Sequence, residues 1–127
     1  MNECRPSLAG CRVLVLEDEY LLASDLMDAL IAIGAEVIGP ISQLDRAQDQ
    51  LAAGGFDVAV VDINLRGNET YPIADQLQRA GVPFLFATGY SEKLIPIRFR
   101  DVTRWEKPYD VSGLVEDLRE LCRRAAQ

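Results

Sequence analysis

Short continuous apolar runs alternate along this chain with segments whose apolar residues recur every three or four positions. Arg12 to Leu16 is a compact, β-branched run of the kind a strand covered on both faces carries. Leu22, Leu26, Ala29, Leu30 and Ile33 then follow helical spacing, and Gly34 is a natural stop. Glu36 to Gly39 reads as a second strand. Ser42 is placed to cap a helix bearing Leu44, Ala47 and Leu51, which Gly54-Gly55 ends. Val58 to Val61 is a third strand, followed by a loop from Ile63 to Thr70. A helix then opens with Pro72, turns Ile73, Ala74 and Leu77 inward, and stops at Gly81. Val82 to Ala87 is the fourth strand, with Pro83 tolerated at its margin. The stretch from Val102 to Trp105 is the fifth. Asp110 or Ser112 caps a last helix with Val111, Leu114, Val115, Leu118, Leu121 and Cys122 on one face. Pro96 interrupts Ser91 to Arg100, so a short or irregular fourth helix is expected there.

Strands alternating with helices predict an α/β fold: a parallel sheet with right-handed crossovers and helices on both faces. The 127 residues, 49% hydrophobic and 26% charged, suit one domain with a core of its own. Residues 1–10 read as a tail and residues 11–127 as a single domain. The last helix reaches the end of the chain, so no output domain is expected.

Composition narrows the function. A net charge of −7 argues against nucleic-acid binding through a general positive field. No apolar stretch approaches the roughly 20 residues that span a bilayer, and the N-terminus lacks a signal-peptide pattern. A cytoplasmic protein without a membrane partner is the expectation. With no histidine in the chain, Ser-His and Cys-His chemistry is excluded. Cys4, Cys11 and Cys122 lack metal-ligand spacing. They are expected as reduced thiols, with Cys11 buried at the start of the first strand.

Four strands end in polar residues of different kinds: Glu17-Asp18-Glu19 after the first, Asp62 after the third, Thr88 after the fourth and Lys107 after the fifth. Parallel strands bring these ends to one sheet edge, where α/β proteins collect their chemistry. The set suits a divalent cation and a phosphoryl group held beside a nucleophilic aspartate. Each residue also has a plainer reading: Asp62 satisfying loop amides, the acidic run capping a helix, Thr88 structural and Lys107 solvated.

The stretches VLVLEDE, VVDINL, FATG and Lys107-Pro108, in this order and spacing, resemble the motifs of bacterial two-component response-regulator receiver (CheY-like) domains over residues 11 to 126. The resemblance implies a flavodoxin-like (βα)5 fold with sheet order 2-1-3-4-5. It makes Asp62 the phosphoacceptor, with Lys107 and Thr88 contacting the phosphoryl group. Mg²⁺ would be held by Asp18, Asp62 and the backbone carbonyl of Asn64, with Glu17 acting through water; Glu19 is the helix-capping member. Gly89 leaves the phosphoryl group room. Lys107-Pro108 is expected to be cis. The partners implied are a sensor histidine kinase or phosphotransfer protein and a downstream protein; as a single-domain response regulator the chain would act by phosphorylation-dependent protein binding or as a phosphate sink. The chain would not be an enzyme beyond its own autophosphorylation and autodephosphorylation.

Two departures from the family pattern stand out. Arg104 occupies the place of the usual fifth-strand aromatic, three residues before the lysine, and Trp105 should face the opposite side. A subfamily with the pattern Phe-Ala-Thr-Gly-any-Tyr also lacks that aromatic; here its tyrosine is Tyr90, one place early. Thr88, Gly89, Tyr90, Arg104 and Trp105 are therefore the switch and partner positions, and Arg98, Arg100 and Arg104 with Phe99 form a local basic group. The rival functions are a degenerate receiver serving only as an interaction module and an aspartate-nucleophile phosphatase. Asn64 stands where such a phosphatase places its second aspartate. A flavin or nucleotide binder is disfavoured, because acidic residues follow the first strand in place of a phosphate loop.

Overall fold

A computed structural model describes residues 8–89 and 95–126. In chain order, β1 (Arg12–Leu16) is followed by α1 (Tyr20–Ala32), β2 (Glu36–Ile41), α2 (Leu44–Ala53) and β3 (Val58–Asp62). The short strands β4 (Asn64–Leu65) and β5 (Asn68–Glu69) come next, then α3 (Tyr71–Ala80) and β6 (Phe84–Thr88). A 3-10 turn (Ile97–Phe99), β7 (Arg104–Glu106) and α4 (Val111–Ala125) complete the chain. The main sheet runs β2-β1-β3-β6-β7, every neighbour parallel. This is the flavodoxin-like arrangement, and its order matches 2-1-3-4-5 when the main-sheet strands are counted in sequence.

The continuous apolar strands are explained by two cores. Val13, Val15, Val58, Val60, Leu85 and Ala87 face α1 and α4, meeting Leu26, Leu30, Leu114 and Leu118. Their neighbours Leu14, Leu16, Ala59, Val61, Phe84 and Phe86 face the other way, onto Ala47, Ile73, Ala74, Leu77 and Phe99. Successive strand residues point to opposite faces, so a sheet covered on both sides has no position for a polar residue until a strand ends. Gly39 serves that packing. Its φ is 118°, and a Cβ there would lie 2.5 Å from the Val15 carbonyl oxygen.

Several boundaries and caps differ from expectation. α2 starts after Gln43, with no side-chain cap, so Ser42 does not cap it. Asp110 does cap α4, accepting from the Gly113 amide at 3.3 Å. The expected 63–70 loop contains the antiparallel pair β4–β5. Its turn residues Arg66 (φ 50°) and Gly67 (φ 87°) are both left-handed, the geometry of a two-residue hairpin turn. Past Pro96, the irregular segment is the 3-10 turn, with Phe99 buried in the second core.

Two expectations are overturned at the amino end. Residues 8–10 are not all tail, because Leu8 is buried and its amide donates to the Ile33 carbonyl at 2.9 Å. Cys11 is buried as expected, yet it is not a free thiol: Cys11 and Cys122 form a disulfide with Cα atoms 6.2 Å apart. The sheet carries the start of β1 to the last turns of α4, and no local pattern announces a pairing 111 residues apart. Among the described residues, no helix is long and apolar enough to cross a membrane.

Candidate functional site

The carboxyl ends of β1, β3 and β6 open into a cleft of about 270 Å³ lined by Asp18, Glu19, Asp62, Asn64, Gly89 and Lys107. β3 carries Asp62 to its last position, where the residue is buried. The Asp62 Oδ1 accepts from the Asn64 amide at 3.0 Å, and Oδ2 accepts from Lys107 Nζ at 2.8 Å. Lys107 is held by the sheet, since its amide donates to the Thr88 carbonyl at 2.7 Å. Its peptide with Pro108 is cis, as expected.

The lysine gathers three carboxylates. Besides Asp62, its Nζ donates to Glu17 Oε2 at 2.6 Å and to Glu19 Oε1 at 2.9 Å. Glu17 is buried, and its Oε2 also accepts from the Glu19 amide at 3.0 Å. Glu19 sits at the N-cap position of α1 but makes no side-chain capping bond; its carboxylate goes to Lys107. The capping role expected for it is therefore replaced by an ion pair spanning most of the chain. Asp18 is exposed, and its Oδ2 accepts from the Arg66 amide at 2.9 Å. The left-handed turn of β4–β5 brings that amide to it.

Oxygen atoms of Glu17, Asp18 and Asp62 all lie within 4.8 Å of one another. An all-oxygen, carboxylate-rich set fits a hard divalent cation and offers nothing to a softer metal that prefers sulfur or imidazole. The electrostatics agree. Burial raises the Asp62 carboxyl to about 7, and the charge of Glu17 adds to the rise; the bonds from Lys107 and the Asn64 amide offset only part of it. Burial alone would lower the Lys107 ammonium, yet its bonds to Asp62, Glu17 and Glu19 hold it well above the ordinary lysine value. The ammonium is thus permanently charged, while Asp62 carries a proton affinity that an added cation would relieve.

Thr88 is buried at the end of β6, in register with Glu106. A Cβ built on Gly89 would meet Lys107 Cδ at 3.9 Å and Glu19 Oε1 at 4.0 Å, which is ordinary contact. Alanine therefore fits, and only a longer side chain would fill the cleft. Arg104 pairs with Phe86 and Trp105 with Ala87, so the two face opposite sides as expected. Trp105 lies over Gly113 of α4 and donates to Asp117 Oδ2 at 2.8 Å. Arg98 of the basic group pairs with Asp75 at 2.7 Å and lies over the Phe99 ring. Tyr90 lies outside the described residues.

Sequence reasoning missed Thr70. Fully buried, it donates from Oγ1 to the Asp62 carbonyl at 2.6 Å, while its amide donates to the Ile63 carbonyl at 2.8 Å. It closes the β4–β5 segment back onto the end of β3 and so braces the strand terminus that carries Asp62. A lone threonine in a polar loop gives no signal of this role.

No family model matches the chain. SdrG from Sphingomonas melonis Fr1 is similar, at 35% identity over 87% of this chain and 95% of its own, with a TM-score of 0.77. A CheY-like response regulator receiver domain protein from Methanospirillum hungatei JF-1 shares the fold, with a TM-score of 0.80 at 20% identity over 91% of this chain and 96% of its own. The transcriptional regulatory protein PdtaR of Mycobacterium tuberculosis is 25% identical over 108 residues, 82% of this chain. The chain spans about half the length of this curated relative, 53%.

Proposed function

The chain belongs to the response-regulator receiver family, and from that premise we propose that it accepts a phosphoryl group on Asp62 from a sensor histidine kinase or a phosphotransfer protein. The observation that carries this reading is the convergence of Asp62, Lys107 and Asp18 in one cleft, with the buried Glu17 carboxylate beside them. In the transfer, an Asp62 carboxylate oxygen forms a bond to phosphorus as the P–N bond to the donor imidazole breaks. The electron pair stays on the imidazole nitrogen, which takes up a proton. Such a transfer is loose, so holding the groups in line and neutralising charge matter more than nucleophile strength.

The residues divide that work. Thr70 and the Asn64 amide hold Asp62 by its carbonyl and by Oδ1, leaving the Lys107 side of the carboxylate toward the cleft. Lys107 neutralises charge on the incoming oxygens. Asp18, Asp62 and the Asn64 carbonyl are the proposed Mg²⁺ ligands, with Glu17 acting through water. The cation supplies charge neutralisation for the carboxylates and the phosphoryl oxygens. Thr88 is the hydroxyl we assign to the phosphoryl group. The added charge, about −1.5 to −2 for a comparable phosphate at neutral pH, would bias the segment from Gly89 to Trp105 and alter what binds there. Phe86-Ala87-Thr88-Gly89 supports the Phe-Ala-Thr-Gly-any-Tyr subfamily. The reading makes this a cytoplasmic, phosphorylation-controlled binding protein and not an enzyme with turnover; Asn64 in place of a second aspartate supports the latter point.

Mass spectrometry after incubation with Mg²⁺ and acetyl phosphate or phosphoramidate tests the assignment. One acid-labile phosphoryl group should appear on the wild type and none on Asp62→Asn. Equal labelling of the variant would place the acceptor elsewhere.

A further inference from the structure

Lys107 has three ammonium protons, and all three are engaged. An ammonium is a donor of three hydrogen bonds and no more, and here its acceptors are Glu17 at 2.6 Å, Asp62 at 2.8 Å and Glu19 at 2.9 Å. An anion arriving at Asp62 therefore finds no free donor on this lysine. One carboxylate has to leave first.

The three are not equally held. The side chains of Glu17 and Asp62 are 2% and 4% exposed, and each carboxylate also accepts a backbone amide, from Glu19 and Asn64 respectively. The Glu19 side chain is 59% exposed, and among the described residues Lys107 is its one hydrogen-bond or ion-pair partner. Releasing Glu17 would leave a buried carboxylate without its counter-ion, and Asp62, equally buried, has no water to turn to before its own oxygen bonds the incoming group. A released Glu19 is rehydrated at once. It also lines the cleft, so its charge opposes an incoming anion as well as occupying the donor.

We infer that Glu19 is a displaceable counter-ion of Lys107: it occupies the third donor at rest, is expelled when a phosphoryl group occupies Asp62, and so sets how tightly the site takes that group. This makes Glu19 a positioning residue acting through Lys107. The inference rests on the phosphoacceptor reading above. It differs from the helix-capping role that the position of Glu19 suggests, which would leave anion affinity unchanged.

Titration of the full chain with beryllofluoride, a tetrahedral stand-in for the acyl phosphate, at fixed saturating Mg²⁺ tests it, with amide NMR shifts as the readout. Glu19→Gln should bind about three- to tenfold tighter than the wild type, the size expected when a partly exposed ion pair no longer competes. Glu19→Asp, one methylene short of Lys107 but still charged, should bind more tightly than wild type and less tightly than Glu19→Gln. Glu36→Gln, an exposed charge removed elsewhere, should change the affinity by less than about 1.5-fold. A Glu19→Gln affinity equal to or weaker than wild type overturns the inference while leaving the receiver reading intact. So does a Glu19→Asp affinity equal to wild type, because charge alone would then explain the effect. Failure of the wild type to bind beryllofluoride at all overturns both.

Discussion

The two ends of the same sheet solve opposite problems. At the amino end, Arg12 and Asp57 open β1 and β3 with an exposed bidentate pair, at 3.1 and 3.3 Å, and Asp57 also accepts the Arg12 amide at 2.8 Å. Next to it, Cys11 is bonded to Cys122 of α4. The Arg12–Asp57 pair is matched in charge and open to solvent, and the link from α4 to the start of β1 is covalent. At the carboxyl end, Glu17, Glu19 and Asp62 share one ammonium beside Asp18, with Glu17 and Asp62 buried. The amino end is complete in itself. The carboxyl end gathers four carboxylates around one ammonium, and burial, with the charge of Glu17, raises the Asp62 carboxyl to about 7. Perturbed groups of this kind in a cleft are characteristic of functional sites.

If that contrast is right, cutting the disulfide should weaken the fold without touching the site. Reduction, or Cys122→Ser, should lower unfolding free energy by about 2–4 kcal/mol, as expected for a bridge closing a long loop, while beryllofluoride affinity changes less than about twofold. Urea denaturation followed by circular dichroism measures the first; an unmoved midpoint would remove the amino end's role as a fastener.

The reverse experiment relieves the carboxyl end. A carboxyl raised from 3.8 to about 7 in the folded chain keeps its proton across a range where the unfolded chain has lost it. Native stability therefore falls as pH rises from about 4 to about 7, then levels. In EDTA, Asp62→Asn should match the wild type near pH 4 and exceed it at pH 8 by an amount on the order of a few kcal/mol. Urea midpoints across that range check it. A variant that tracks the wild type at every pH would mean that Lys107 already compensates Asp62 in full.

The smallest change belongs to the exposed pair. Arg12→Ala should leave the urea midpoint almost where it was, with any loss shrinking further in 1 M salt. A large, salt-independent loss would show that the amino end depends on this pair and not on the covalent bond.

Much of this architecture is legible in the chain. The strand runs survive with boundaries moved by a few residues, because a doubly covered sheet imposes uninterrupted apolar character. Asp62 and Lys107 are found where strand ends and motif spacing place them. What escapes is whatever depends on a partner far away in sequence. Glu19 looks like a cap, since its neighbours are a strand and a helix; only Lys107, 88 residues on, turns it into an ion-pair partner. Thr70 looks like a loop residue until the β4–β5 turn folds it under Asp62. The free thiols expected at Cys11 and Cys122 fail for the same reason.

By itself, then, the chain determined the layers and which polar residues end the strands at one sheet edge, because burial periodicity and strand termini are local properties. Only the tertiary structure decided which carboxylates share the ammonium, which of them is exposed enough to leave, and which cysteines meet. Those depend on distances between side chains dozens of residues apart, and short-range order does not encode such distances.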